Sequence, residues 1–229
     1  MAVASPVSER DTVLALLMLT FATGLVDAIS VLVLGHVFVA NMTGNVIFLG
    51  FWFVPHSGVD LTAAAVGFVS FVLGAVIGGR FVRHLGAQAR RWITAALGIE
   101  VVALLALAAL AGAGVLHYHD QGRLILIVGL AMIFGSQSVA ARQFGIQELS
   151  TTVLTATIVG IGMDSRLAGG TGDREKLRYA VVFTMCGGAV VGATMSRFFV
   201  APVIALAALC VVAGLLIFRY GAAADAGPV

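Results

Sequence analysis

The chain has 229 residues, of which 60% are hydrophobic and only 10% charged, and its formal net charge is +2. Soluble domains carry about a quarter charged residues, so this composition, with a mean hydropathy of +1.07, excludes a water-soluble globule and gives no support to nucleic-acid binding. What remains is an all-α polytopic membrane protein, because apolar runs of about 18 or more residues, each able to cross ~30 Å of hydrocarbon, recur along the chain.

Residues 1–12 form a short polar tail. Arg10 alone makes a poor signal-peptide n-region, and the first apolar run is too long for a cleaved one. It reads as the first span. Apolar segments then follow at 13–34, 38–54, 62–83, 93–116, 123–141, 150–163, 177–200 and 202–219. Segments 38–54 and 150–163 are the short ones, and both are studded with Asn, Thr or Ser. Fourteen helical residues at 150–163 rise only about 21 Å, too little to span comfortably.

Charge placement tests whether the short segments cross. One basic loop holds Arg83, Arg90 and Arg91, with Arg80 just inside it, and the loop at 164–178 holds Arg166, Arg174, Lys176 and Arg178. Short basic loops belong on the cytoplasmic side. Eight true spans would put these two loops on opposite faces. Six spans plus two re-entrant or broken segments put both inside, together with Arg10, Arg142 and Arg219, and leave only Arg123 and Arg197 towards the outer face. The expected location is therefore a cell membrane, multi-pass, with N- and C-termini cytoplasmic.

The resulting order is span, re-entrant segment, span, span, repeated once. An odd number of crossings per half makes the halves inverted: a first membrane repeat at 13–116, a second at 123–219, and a C-terminal tail at 220–229. Weak echoes agree. "MTGNVIFLG" (42–50) aligns with "LTATIVGIG" (154–162), "LGAVIG" (73–78) with "VGATMS" (191–196), and "AALGIEVVALL" (95–105) with "ALAALCVVAGL" (205–215). Inverted repeats with interrupted segments in equivalent positions point to a transporter site.

The stretch "VFVANMTGNVIFLG" (37–50) places Asn41, Thr43 and Asn45 around Gly44 inside apolar sequence. A strand of about seven residues (35–41) descending to the midplane, followed by a helix beginning near Asn41, explains them. Asn and Thr cap the unsatisfied N–H groups of a helix start, and Gly44 permits close approach. Ser150, Thr151, Thr152 and Thr155 offer the same chemistry in the second half. The expected substrate or pore-lining set is Asn41, Thr43, Gly44, Asn45, Gln137, Thr151, Thr152 and Thr155, with Thr43 and Thr155 meeting near the midplane. The plain alternative is a kinked helix whose polar groups glue neighbouring helices together.

Two acids fall within spans, Asp27 and Glu100. A charge at a helix centre costs on the order of 3 kcal/mol, and such residues face a cavity or a partner. Both are proton-coupling candidates. For Asp27 the structural alternative is a hydrogen bond or an ion pair with Arg142; for Glu100 it is solvation near the interface. Cys186 and Cys210 read as small core residues rather than a disulfide or metal pair. "HYHD" (117–120) reads as a solvated loop and not a metal site. "GGTGDREK" (169–176) lacks the Lys-Ser/Thr of a phosphate loop. Gly74 with Gly78, and Gly188 with Gly192 and Ser196, form small-residue stripes suited to close helix packing.

The segments "GLVDAISVLVLGHVFVANMTGN" (24–45) and "STTVLTATIVGIG" (150–162) resemble the YoaK-type family of bacterial integral membrane proteins of unknown function. The resemblance covers essentially the whole chain and implies six spans. Its motif residues here are Gly24, Asp27, Asn41, Thr43, Gly44, Asn45 and the Thr151–Thr155 stretch. Where the family reads roughly Gln-Asn-Ala followed by a basic residue, "SQSVAAR" (136–142) keeps Gln137 and Arg142 but not the Asn.

The expected function is secondary transport of a small polar or anionic solute, proton-coupled through Asp27 or Glu100, at the repeat interface near the midplane. A passive channel and a non-transport assembly protein are the alternatives. No enzymatic activity, cofactor or metal is expected. The expected partners are membrane lipid and a small-molecule solute, with a homodimer left open.

Overall fold

A computed structural model describes residues 5–54, 58–85, 88–116, 122–144, 154–172 and 174–223. Its eight α-helices among these residues are α1 (Glu9–Leu32), α2 (Met42–Gly50), α3 (Leu61–Leu85), α4 (Ala89–Gly112), α5 (Gly122–Gln143), α6 (Leu154–Met163), α7 (Glu175–Ser196) and α8 (Ala201–Tyr220). Six are long and apolar enough to cross a bilayer; α2 and α6 are not. Local sequence sets the ends. Ser8 caps α1 by accepting from the Asp11 N–H at 3.2 Å, with Glu9 and Asp11 in the first turn against the positive helix end. Pro202 opens α8 where its missing N–H costs nothing.

The ends of the helices fix the topology. Val7 bridges Ala223 and the Ser8 N–H donates to the Ala222 carbonyl at 3.0 Å, so the start of α1 and the end of α8 share one face, here the terminal face. Arg90 donates to the Pro6 carbonyl at 2.9 Å, which places the start of α4 there as well. Phe144, just past α5, stacks on Trp92 and Phe218 and brings the end of α5 to that face. At the far face, Gly35 after α1 lies beside Asp60 and Arg123, which precede α3 and open α5. The chain between α1 and α3 therefore leaves and returns at the far face.

Helix α7 runs parallel to α1, with Gly188 against Phe21 and Gly192 against Leu25, so it starts at the terminal face. The chain between α5 and α7 thus leaves and returns at the terminal face. Helices α2 and α6 thus belong to two return excursions of the chain, one at each face.

Glycine lets two helix pairs approach backbone to backbone. On α1 and α7, Gly24 abuts the Met185 carbonyl and Gly188 abuts the Phe21 carbonyl; a methyl on Gly192 would sit 2.6 Å from the Leu25 carbonyl oxygen. On α3 and α5 the same contacts recur: Gly74 on Met132, Gly135 on Phe71, and Gly78 with a methyl position 2.8 Å from Ser136 Oγ. Small residues at such crossings give the van der Waals contact that holds helices together in lipid. The packing pairs Gly74 with Gly188 and Gly78 with Gly192. The sequence echo had set Gly74 opposite Gly192, one helical turn away, because close approach and not letter identity is what recurs.

Helices α1 and α5 are the most interior spans, 67% and 50% buried over their apolar windows, whereas α7 is 17% buried. Outward positions such as Val102 and Phe183, 69% and 70% exposed, form the apolar surface a bilayer requires. Cys186 is also exposed on α7, contrary to the core position expected of it, and Cys210 is half-buried.

Candidate functional site

The first hairpin is tied to α1 by Asp27. Its carboxylate accepts the Val39 and Ala40 N–H groups, each at 2.9 Å, through one oxygen, and the Asn41 amide through the other. Asn45, fully buried, closes the same loop from α2: its carbonyl oxygen accepts the Phe38 N–H at 2.9 Å and its amide donates to the Phe38 carbonyl at 2.6 Å. Gly44 rests on the Phe38 ring, and Gly67 of α3 leaves room for the Asn45 amide. Positive φ at Gly35 (115°) and His36 (59°) turns the chain back towards α1.

For Asp27 this geometry is the hydrogen-bonded alternative: three donors occupy it, and exposed Arg142 is not among its partners. Two other expectations change. Asn41 does not cap α2 with its side chain; its amide donates to Asp27 of α1. The segment 35–41 forms turns and bends rather than the expected strand, and it stops beside Asp27, five residues from the end of α1, or about 8 Å of helical rise, short of the midplane. The self-satisfied Asn and Asp groups explain how irregular backbone is tolerated at that depth. Thr43 is exposed on α2.

In the second hairpin, Ser150, Thr151 and Thr152 lie outside the described residues. Thr155 is exposed on α6 while Thr157 is buried, so neither Thr43 nor Thr155 lines an interior cavity. Arg178, at the start of α7, holds the end of α6: it donates to the Gly160 carbonyl at 2.8 Å and pairs with Asp164 at 2.6 Å. A cation suits the carbonyl end of a helix as Asp27 suits N–H donors.

A cavity among the described residues lies elsewhere. It measures about 170 Å³ between α3, α4 and α5, and Glu100, Gln137 and Ser136 are its polar lining. Glu100 and Gln137 are buried, 6% and 4% exposed, and the Gln137 amide donates to the Glu100 carboxylate. Because α4 begins at Ala89, four residues before the apolar run, Glu100 falls at the middle of its 24 residues rather than near an interface. The structure thus joins two candidates that the sequence had kept apart. Their signal was present: an acid and an amide on successive antiparallel spans, each roughly 10–17 Å by helical rise from the terminal face. Among the described residues, no group of three or more His, Cys, Asp or Glu is placed to hold a metal. "HYHD" lies outside the described residues.

Residues 15–217 match a family described as "Protein of unknown function (DUF1275)". The chain is 35% identical over 156 residues to a "UPF0700 transmembrane protein YoaK" of Bacillus subtilis (strain 168), an alignment covering 66% of this chain and 65% of that protein. The chain thus spans somewhat under two thirds of the curated relative it matches. No solved structure matches.

Proposed function

We propose that this chain, which belongs to the DUF1275, or YoaK-type, family of transmembrane proteins, is a secondary transporter of a small polar solute with Glu100 as its proton-carrying group. The observation that carries the reading is a buried carboxylate at mid-span, bonded to Gln137 and bordering a cavity. An intramembrane acid facing a cavity is the usual element of a proton relay or solute site.

Further support comes from the architecture. Two re-entrant helices entering from opposite faces, and the matching α1–α7 and α3–α5 crossings, fit two inverted repeats of three spans each. Of the 13 Lys and Arg residues, all but Arg123 and Arg197 belong to the terminal face, which makes that face cytoplasmic under the positive-inside rule. A carboxylate in the cavity, with no basic residue beside it, favours a neutral or cationic solute over an anionic one. Asp27 serves as the anchor of the first hairpin.

The test is accumulation in proteoliposomes, screened over small polar solutes with and without a proton gradient. Uptake above equilibrium that needs the gradient and is lost in Glu100→Gln supports the transporter. Uptake that only equilibrates makes the protein a channel, and no uptake for any solute defeats the reading.

A further inference from the structure

We infer that the cavity beside Glu100 takes a small amphipathic amine, which enters as the neutral free base sideways from the bilayer between α3 and α4 and is held as the ammonium after taking the proton of the Glu100 carboxyl; this rests on the transporter reading for its role and on the cavity's geometry for its chemistry.

The polar groups of the cavity cluster and are rich in acceptors. Gln137 donates its amide to one Glu100 oxygen, which leaves the second carboxylate oxygen and the Gln137 carbonyl to receive donors. Ser136 adds a hydroxyl. Among the described residues no Lys, Arg or His lines the space, and Glu100 is the one ionisable group of that lining. Arg80 of α3, Arg142 of α5 and Cys210 of α8 are not part of the lining. A carboxylate in such surroundings is costly unless a cation pairs with it. A ligand ammonium supplies that charge and the donors together.

The other walls are apolar: Ile77, Leu97, Ile99, Ala103, Met132 and Ile133. They demand a hydrocarbon or aromatic body behind the ammonium. About 170 Å³ is close to the roughly 150 Å³ of an apolar cavity that holds benzene, so one ring and a short amine fill it.

The position of the mouth decides the route. Ile77 and Ile99 line the cavity and are also 54% and 61% exposed on the outer surface of their spans. Helix α3 packs chiefly on α5 and α4 chiefly on α8, so α3 and α4 meet only loosely. Glu100 lies mid-span, so this gap opens to the acyl chains. A ligand arriving there must dissolve in hydrocarbon, as the free base of a small amine does and a sugar or amino acid does not; once inside, the amine takes the proton of the Glu100 carboxyl and leaves the paired carboxylate.

Benzylamine, benzyl alcohol and benzoate share one body and differ in charge. Their binding is titrated calorimetrically to the full chain in nanodiscs, with empty nanodiscs subtracted for partition into lipid. The expected result is saturable benzylamine binding at least tenfold tighter than benzyl alcohol, with no saturable benzoate binding. Glu100→Gln should weaken benzylamine at least tenfold, and Ala103→Leu, which fills the space and keeps the carboxyl, should do the same. Each variant is first shown to be monodisperse with a wild-type melting profile; where Glu100→Gln fails this check, Ala103→Leu decides. Equal affinity for the amine and the alcohol, or wild-type benzylamine affinity in a folded variant, overturns the inference. Benzylamine binding without flux in proteoliposomes keeps the site and removes the transporter reading. Flux of another solute without benzylamine binding does the reverse.

Discussion

Replacing Asp27 with Ala removes the one acceptor that ties residues 39–41 to α1. Three hydrogen bonds are lost, two of them from buried backbone N–H groups of Val39 and Ala40. A buried donor left without a partner costs about 1–3 kcal/mol, and bonds to a charged group are worth about 1.5–3 kcal/mol each. The loss for Asp27→Ala is therefore about 3–6 kcal/mol, a large part of the ~5–15 kcal/mol that holds a typical domain together. Local opening of residues 37–41 should become at least ~100-fold more frequent, since 1.4 kcal/mol is a factor of ten. Hydrogen–deuterium exchange in detergent or nanodiscs reads this directly, with α8 as an internal reference. Asp27→Asn keeps one oxygen for the two N–H groups but turns its new amide towards that of Asn41, a smaller loss of about 1–2 kcal/mol. Adding Asn41→Asp restores a donor and an acceptor and should recover most of it, a coupling that a double-mutant cycle isolates. Wild-type exchange at 37–41 in Asp27→Ala would refute the anchoring argument.

Glycine substitutions separate close approach from helix propensity: Gly24→Ala and Gly74→Ala, whose methyls overlap the Met185 and Met132 carbonyls, should each cost about 1–3 kcal/mol in thermal or denaturant unfolding. Gly50→Ala, with open space around it, should change stability by less than about 0.5 kcal/mol. The Asp60–Arg123 pair is partly exposed, so Asp60→Asn should cost at most about 1 kcal/mol, falling further at high salt. In a background carrying Cys186→Ser and Cys210→Ala, a membrane-impermeant maleimide added outside cells should label Val54→Cys, beyond α2, at once. Ala168→Cys, beyond α6, should react only after the membrane is opened; immediate labelling of both would contradict the opposite entry of the two hairpins.

Length, hydropathy and arginine placement made the six spans and two short segments legible, because the bilayer restricts what a 20-residue apolar run can do. Helix starts were less legible where charged residues lie inside a span: Arg90 and Arg91 belong to α4 although hydropathy begins the run at residue 93. That offset hid the central position of Glu100. The polar residues of 37–50 were visible as a cluster, but their use was not. Composition cannot tell an amide that faces a cavity from one that, like Asn45, closes a loop on its own backbone. For Asp27 the sequence left a hydrogen bond open but not its partners, since two of them are main-chain N–H groups, which every residue carries and no sequence pattern marks. The Glu100–Gln137 contact depends on how α4 and α5 rotate about their axes, and a helix apolar on nearly every face leaves that rotation unspecified.

The most direct test of the central claim is proton movement coupled to solute in proteoliposomes loaded with a pH-sensitive dye. Using the solute found in the accumulation screen, the wild-type chain should give a solute-evoked pH change above that of protein-free vesicles. Glu100→Gln, reconstituted to the same density and folded, should give none, while Asp60→Asn should match the wild type. An undiminished pH change in Glu100→Gln would contradict the assignment of Glu100 as the group that carries the proton.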